Sequence, residues 1–127
     1  MEGYSVKIIT ASKELTAKEK IRIKDFTNAA QLDDIIKGDT HFMLDYDYHV
    51  VMEVHNEKTK NQNKDYRKVV IVDRAGKAYV TGSESFLTSM EDIVAEMSET
   101  GEDFALDCYK VDSKNFQGKQ FITCTVI

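Results

Sequence analysis

The apolar residues of this chain recur at two different spacings, and the change of spacing marks its elements. From His41 to His55 they alternate, with Tyr46, Tyr48, Val50, Met52 and Val54 on one face and Asp45, Asp47, His49, Val51 and Glu53 on the other. That period of two predicts a long strand. Tyr66 to Val72 reads as a second strand with a continuous apolar centre, Arg74-Ala75-Gly76 as a turn, and Lys77 to Thr81 as a third strand, which together make an antiparallel meander. The spacing then lengthens. Phe86, Leu87, Met90, Ile93, Val94 and Met97 fall at steps of one, three and four, the stripe of an amphipathic helix, with Ser83 as its cap and Thr100-Gly101 as its end. Phe104 to Val111 and Gln120 to Ile127 return to strand spacing, and the polar stretches Asn56 to Lys64 and Asp112 to Lys119 read as connecting loops.

The first forty residues are less regular. Ser5 to Thr10 suits an edge strand, and Thr16 followed by Glu19 is a capping-box pattern that opens a helix over Ala17 to Phe26. Ile21 and Ile23, set among Lys20, Arg22 and Lys24, also fit a strand, so both readings stand there. Gln31 to Lys37 reads as a further helical turn ended by Gly38. Three strands, a helix and two strands are the element order of the OB-fold. The expected fold is therefore mainly β with helices: a five-stranded OB-like Greek-key barrel over residues 41–127, an amphipathic helix between its third and fourth strands, and an N-terminal strand/helix extension over 1–40. A small α+β domain with a meander and one covering helix shares that order.

Length and charge narrow the function classes. The chain has 127 residues, enough for one domain spanning 1–127 and too few for two. Uncharged apolar runs reach only four or five residues, as in Val69 to Val72, so no membrane span and no membrane partner is expected. The opening Met-Glu-Gly-Tyr-Ser-Val-Lys lacks a basic patch followed by an apolar stretch, which makes the cytoplasm the expected location. Cys108 and Cys124 are too few for a disulfide scaffold and read as buried thiols on adjacent strands. The net charge is −5, which by itself argues against nucleic acid. Its distribution changes the picture. Eight acids and no base lie between Glu84 and Asp107, and the rest of the chain carries a net +3.

In an OB-fold, oligomers bind across strands two and three and the loops joining strands one to two and four to five. Here the first such loop contains Lys58, Lys60 and Lys64, and the second contains Lys114, Phe116 and Lys119. Strand two opens with Tyr66, Arg67 and Lys68, strand three contains Tyr79, and Phe121 begins the last strand. Cations interleaved with rings are what unpaired nucleic acid requires, the cations following phosphates and the rings stacking under bases. Each feature also has a plainer reading: a lysine-rich loop is usually solvated, and Tyr79 and Tyr109 have an alternative place inside the barrel. Phe116, alone between Asn115 and Gln117, has no evident core to join.

Catalytic patterns are weaker. His41, His49 and His55 lack metal-ligand spacing, and the glycines form neither GxGxxG nor GxxxxGK[ST], so no metal or cofactor is expected. Asp45, Asp47 and Glu53 share a strand face that would suit a divalent ion in a nuclease. The acidic helix, with Glu91, Asp92 and Glu96, is an alternative docking patch for a basic protein, or a repulsive back that keeps DNA on the other side.

Four stretches, Leu15 to Phe26, Val54 to Glu57, Tyr79 to Phe86 and Ser113 to Lys119, resemble small phage-encoded single-stranded DNA-binding proteins of viruses of Gram-positive bacteria. The resemblance implies a non-catalytic protein that coats the displaced strand in phage DNA replication or recombination, in the host cytoplasm, beside replication proteins. Unlike many cellular counterparts, the chain ends in the strand Cys124-Thr125-Val126-Ile127 and not in an acidic, glycine-rich tail, which leaves tail-mediated recruitment in doubt. Self-association through the first forty residues is a further option. On this reading Phe116→Ala weakens single-stranded DNA binding about five- to a hundredfold with the fold intact, and an unchanged affinity in a fluorescence titration removes Phe116 from the interface.

Overall fold

A strand of fifteen residues, β3 (Phe42–Asn56), organises the fold. The computed structural model describes residues 4–25, 30–37, 40–56, 65–112 and 120–127. Before β3 come β1 (Tyr4–Ala11), α1 (Ala17–Lys24), β2 (Ala30–Gln31) and α2 (Leu32–Ile35). After it come β4 (Asp65–Asp73), β5 (Ala78–Thr81), α3 (Glu84–Ser98), β6 (Ala105–Asp112) and β7 (Gln120–Val126). The strands form one curled open sheet, a half-barrel, in the order β2-β5-β4-β3-β6-β7, with β1 also on β3.

All five expected strands are present, and α3 lies between the third and fourth of them. The sheet has seven strands because the N-terminal segment joins it, β1 antiparallel to β3 and β2 parallel to β5. Among the described residues β5 and β7 do not pair, and β2 takes the outer edge of β5.

The expected assignment of faces along β3 needs correction at one residue. Tyr46 pairs with Asp73 and Tyr48 with Val72, so Asp47 is the extra residue of a β-bulge. A bulge moves every side chain on one side of it to the opposite face. Tyr46 and Leu44 consequently join one core with Val51, while Tyr48, Val50, Met52 and Val54 join another. The continuous apolar centre of β4 has the same origin: Val69 and Ile71 face the first core, Val70 and Val72 the second.

A helix covers each face. Phe86, Leu87 and Met90 of α3 enter the first core, and Ile23 of α1 enters the second. Complete burial of a side chain of this size is worth about 1.5–3 kcal/mol, more than the spread of helix propensity among residues other than proline. Both helices start at the expected caps. Ser83 Oγ accepts from the Phe86 amide at 3.2 Å, and Thr16 with Glu19 completes the reciprocal box, settling α1 as a helix. Gly76 and Gly101 have φ of 87° and 69°, the left-handed conformation that the turn after β4 and the end of α3 require.

One edge of β3 is shared by two strands in succession, β6 along Phe42–Asp45 and β1 along Val50–Asn56. Ser12 fills the interval. Its amide donates to the His49 carbonyl at 3.0 Å, and its Oγ accepts from the His49 amide at 2.9 Å. Ser12 Oγ also accepts from the Tyr46 hydroxyl at 3.1 Å, and that hydroxyl lies 2.7 Å from His49 Nδ1. With its proton on Nδ1, His49 donates to Tyr46, which donates on to Ser12.

Burial pushes the His49 imidazole down to about 4, from an ordinary 6.5. The folded chain therefore keeps His49 neutral over a range where the unfolded chain would protonate it. Its contribution is complete above pH 6.5 and lost as the pH falls toward 4, a total of about 3 kcal/mol at about 1.4 kcal/mol per unit. Urea denaturation between these limits is expected to show this loss, and His49→Gln to flatten it. An equal slope in the variant would assign the acid sensitivity to other groups.

Candidate nucleic-acid interface

Of the residues expected to bind nucleic acid, Lys58, Lys60, Lys64, Lys114, Phe116 and Lys119 lie outside the described residues. The strand ends that flank their two loops are described. His55 of β3 pairs with Asp65 of β4, and Asp112 of β6 with Gln120 of β7.

Tyr66 and Arg67 are exposed on β4, Tyr66 by 37%. Lys68 Nζ stands 5.9 Å from the Tyr66 ring centroid, within cation–π range. Arg67 faces the other way, opposite Glu53, whose other cross-strand neighbour is Lys7. Lys7, Glu53 and Arg67 thus alternate in sign across three strands, so part of the Arg67 charge is met within the sheet.

Lys68 and Phe121 line one groove of about 660 Å³, together with Lys110, Gly82, Ser83 and Ser85. Each arrives by a separate route: Lys68 on β4, Lys110 at the end of β6, Phe121 at the start of β7, and the two serines around the first turn of α3. Ser83 Oγ donates to the Ile122 carbonyl at 2.9 Å, tying the segment after β5 to β7. A Cβ at Gly82 would lie 3.4 Å from Lys68 Nζ, so glycine leaves the lysine its path. Lys110 Nζ donates to the Asp33 carbonyl at 3.2 Å. Asp33 and Glu84 also line the groove, so it carries as many acidic residues as basic ones.

Tyr79 is a correction. It is 5% exposed, its ring meets Phe42 edge-on at 5.1 Å, and its hydroxyl donates to Asp73 at 3.5 Å. Burial raises its phenol above the ordinary range, and no face of the ring is open to a base. Lys110 and Ser85 were missed by sequence reasoning. A signal existed for Lys110, since Leu106, Cys108 and Lys110 share one strand face and a cation at the end of a core-facing row is unusual.

The three carboxylates expected to gather on one face do not. The bulge at Asp47 separates the face of Asp45 from that of Glu53, and Asp45 pairs with Arg74 at 3.2 Å. Among the described residues no group of three His, Cys, Asp or Glu side chains is placed to hold a metal ion. His41 pairs with Asp107 at 2.9 Å and stacks on Tyr109 at 5.0 Å. A second hollow, about 600 Å³, lies between α1 and the sheet; Lys13, Arg22 and Arg74 line it together with Glu19, Asp25 and Asp47, and Ile21 borders it.

No family model, no curated protein and no solved structure matches the chain. No helix among the described residues is long and apolar enough to cross a membrane.

Cys108 and Cys124 sit directly opposite each other on β6 and β7, both buried in the first core. Burial pushes both thiols upward, Cys124 to about 12 and Cys108 further. Neither is a nucleophile near neutral pH. A colorimetric thiol reagent is expected to find no reactive sulfur in the native protein and both after denaturation; rapid labelling of the folded chain would show that the β6–β7 pair opens.

Proposed function

We propose that this chain is a non-catalytic single-stranded DNA-binding protein that acts in phage DNA replication or recombination. The observation that carries the reading is the groove in which Lys68, Lys110 and Phe121 come together from three separate strands. Two of those residues are expected from sequence as part of a nucleic-acid interface, and the third adds a cation. The OB-like scheme belongs to the same proposal: five strands with the helix between the third and fourth, elaborated by β1 and β2, and a Greek-key barrel as its parent design.

The chemistry follows from the parts. Ammonium groups of Lys68 and Lys110 meet phosphate oxygens, and Phe121 and the exposed Tyr66 offer rings to unpaired bases. Such contacts read backbone and ring faces, not base edges, so little sequence preference is expected. Phosphates entering the groove would compete with Asp33 and Glu84, which makes the loop lysines the main source of long-range attraction. The exposed acids of α3 repel the strand from that flank. In this reading the protein works in the host cytoplasm, near replication proteins. The resemblance to small phage-encoded single-stranded DNA-binding proteins points the same way.

A labelled oligo-dT titrated at several salt concentrations tests the proposal. With about three to five phosphate contacts at about 0.7 each, log affinity is expected to fall against log salt with a slope between about −2 and −3.5. Phe121→Ala is expected to weaken binding about five- to a hundredfold, the loss of one stacked base. Tyr79→Phe is expected to leave binding unchanged. No complex at low salt overturns the function, and full affinity in Phe121→Ala removes the groove from it.

A further inference from the structure

The two helices that cover the sheet carry opposite charge and lie on opposite faces of it. On α1, Lys18, Lys20, Arg22 and Lys24 are all exposed, and none forms an ion pair among the described residues. Of the acids nearby, Glu19 pairs with Lys13 at 3.0 Å, and Asp25 is the one exposed carboxylate on the Ile21 side of the helix, so the four cations of α1 outnumber it there. Ile21 stands among these cations 69% exposed, between Lys18 and Lys24 at three residues either side. An isoleucine in that position leaves apolar area in water inside a charged ring.

The outer face of α3 has the converse arrangement. Ala95 is exposed, and Glu91, Asp92 and Glu99, three or four residues away on the helix, are exposed around it. An acidic helix face with a small residue at its centre is opposite in charge to the mainly basic face around Ile21. Ile23 anchors α1 to one face of the sheet and Phe86 anchors α3 to the other, so the two helices lie on opposite faces of the molecule, with Ile21 at the outer rim of the hollow beside α1.

We propose that copies of this chain associate head to tail, the α1 face around Ile21 of one copy seating on the α3 face around Ala95 of the next. Opposed surfaces cannot satisfy each other within a two-fold dimer, so the contact is heterologous and propagates as an open chain. One helix face from each copy is a small interface, suited to reversible assembly. The inference rests on charge and exposure and is independent of DNA.

Sedimentation velocity of the full chain without DNA tests it. At about 0.1 M salt, where the Debye length is about 10 Å, the mean sedimentation coefficient is expected to climb with protein concentration; at about 1 M, where it is about 3 Å, the protein is expected to stay monomeric. Lys18→Glu with Lys24→Glu, and separately Glu91→Lys with Asp92→Lys, should each abolish association. Mixing the two double variants should restore it, because one then has two acidic faces and the other two basic ones. All four positions are exposed, and circular dichroism checks that each variant is folded. A monomer at every concentration overturns the proposal, as does a discrete dimer, or growth that the substitutions leave unchanged.

Discussion

The structure depends on β3 being buried on both faces at once. A strand that closes a single core needs only alternate apolar residues, but Val50, Val51 and Met52 are all buried, so two layers must be supplied. α3 with α2 supplies one, and α1 with Leu15 supplies the other. The bulge at Asp47 lets one sequence serve both. Without it Tyr46 and Leu44 would point away from α3, and the first core would lose its contacts beneath β6. The polar trio of Ser12, Tyr46 and His49 sits beside this irregularity, where the ladder passes from one neighbouring strand to the other.

Most elements were legible because each has a local cause. Ser83 and Thr16 are caps whatever surrounds them, Gly101 ends α3 by its own conformation, and the change of period at Phe86 marks a helix. What was not legible is tertiary. A bulge has no sequence marker in a run such as Tyr46-Asp47-Tyr48, where strict alternation is equally well formed. Burial of Tyr79 is decided by Phe42 and Asp73, one far away in the chain, and no periodicity reports it. The pairing of β2 with β5 is a two-residue parallel contact, below any pattern length. On the candidate site, Lys68 and Phe121 were found from their positions beside polar loops, whereas Lys110 needed the register of β6 against β7.

Charge is organised at two scales in this molecule. Over the whole surface the acids of α3 and the cations of α1 are kept apart by the thickness of the sheet. Within the groove the signs are mixed, Lys68 and Lys110 sharing its lining with Asp33 and Glu84.

β1 is attached to the sheet through β3 only, with a register shift at Ile9 interrupting its ladder and with its other edge unpaired among the described residues. The rest of β3 keeps β4 along its whole opposite side when β1 departs. Peeling of this strand is thus a local event with its own free energy, distinct from global unfolding, and its amides should exchange with solvent deuterium ahead of those shared by β3 and β4.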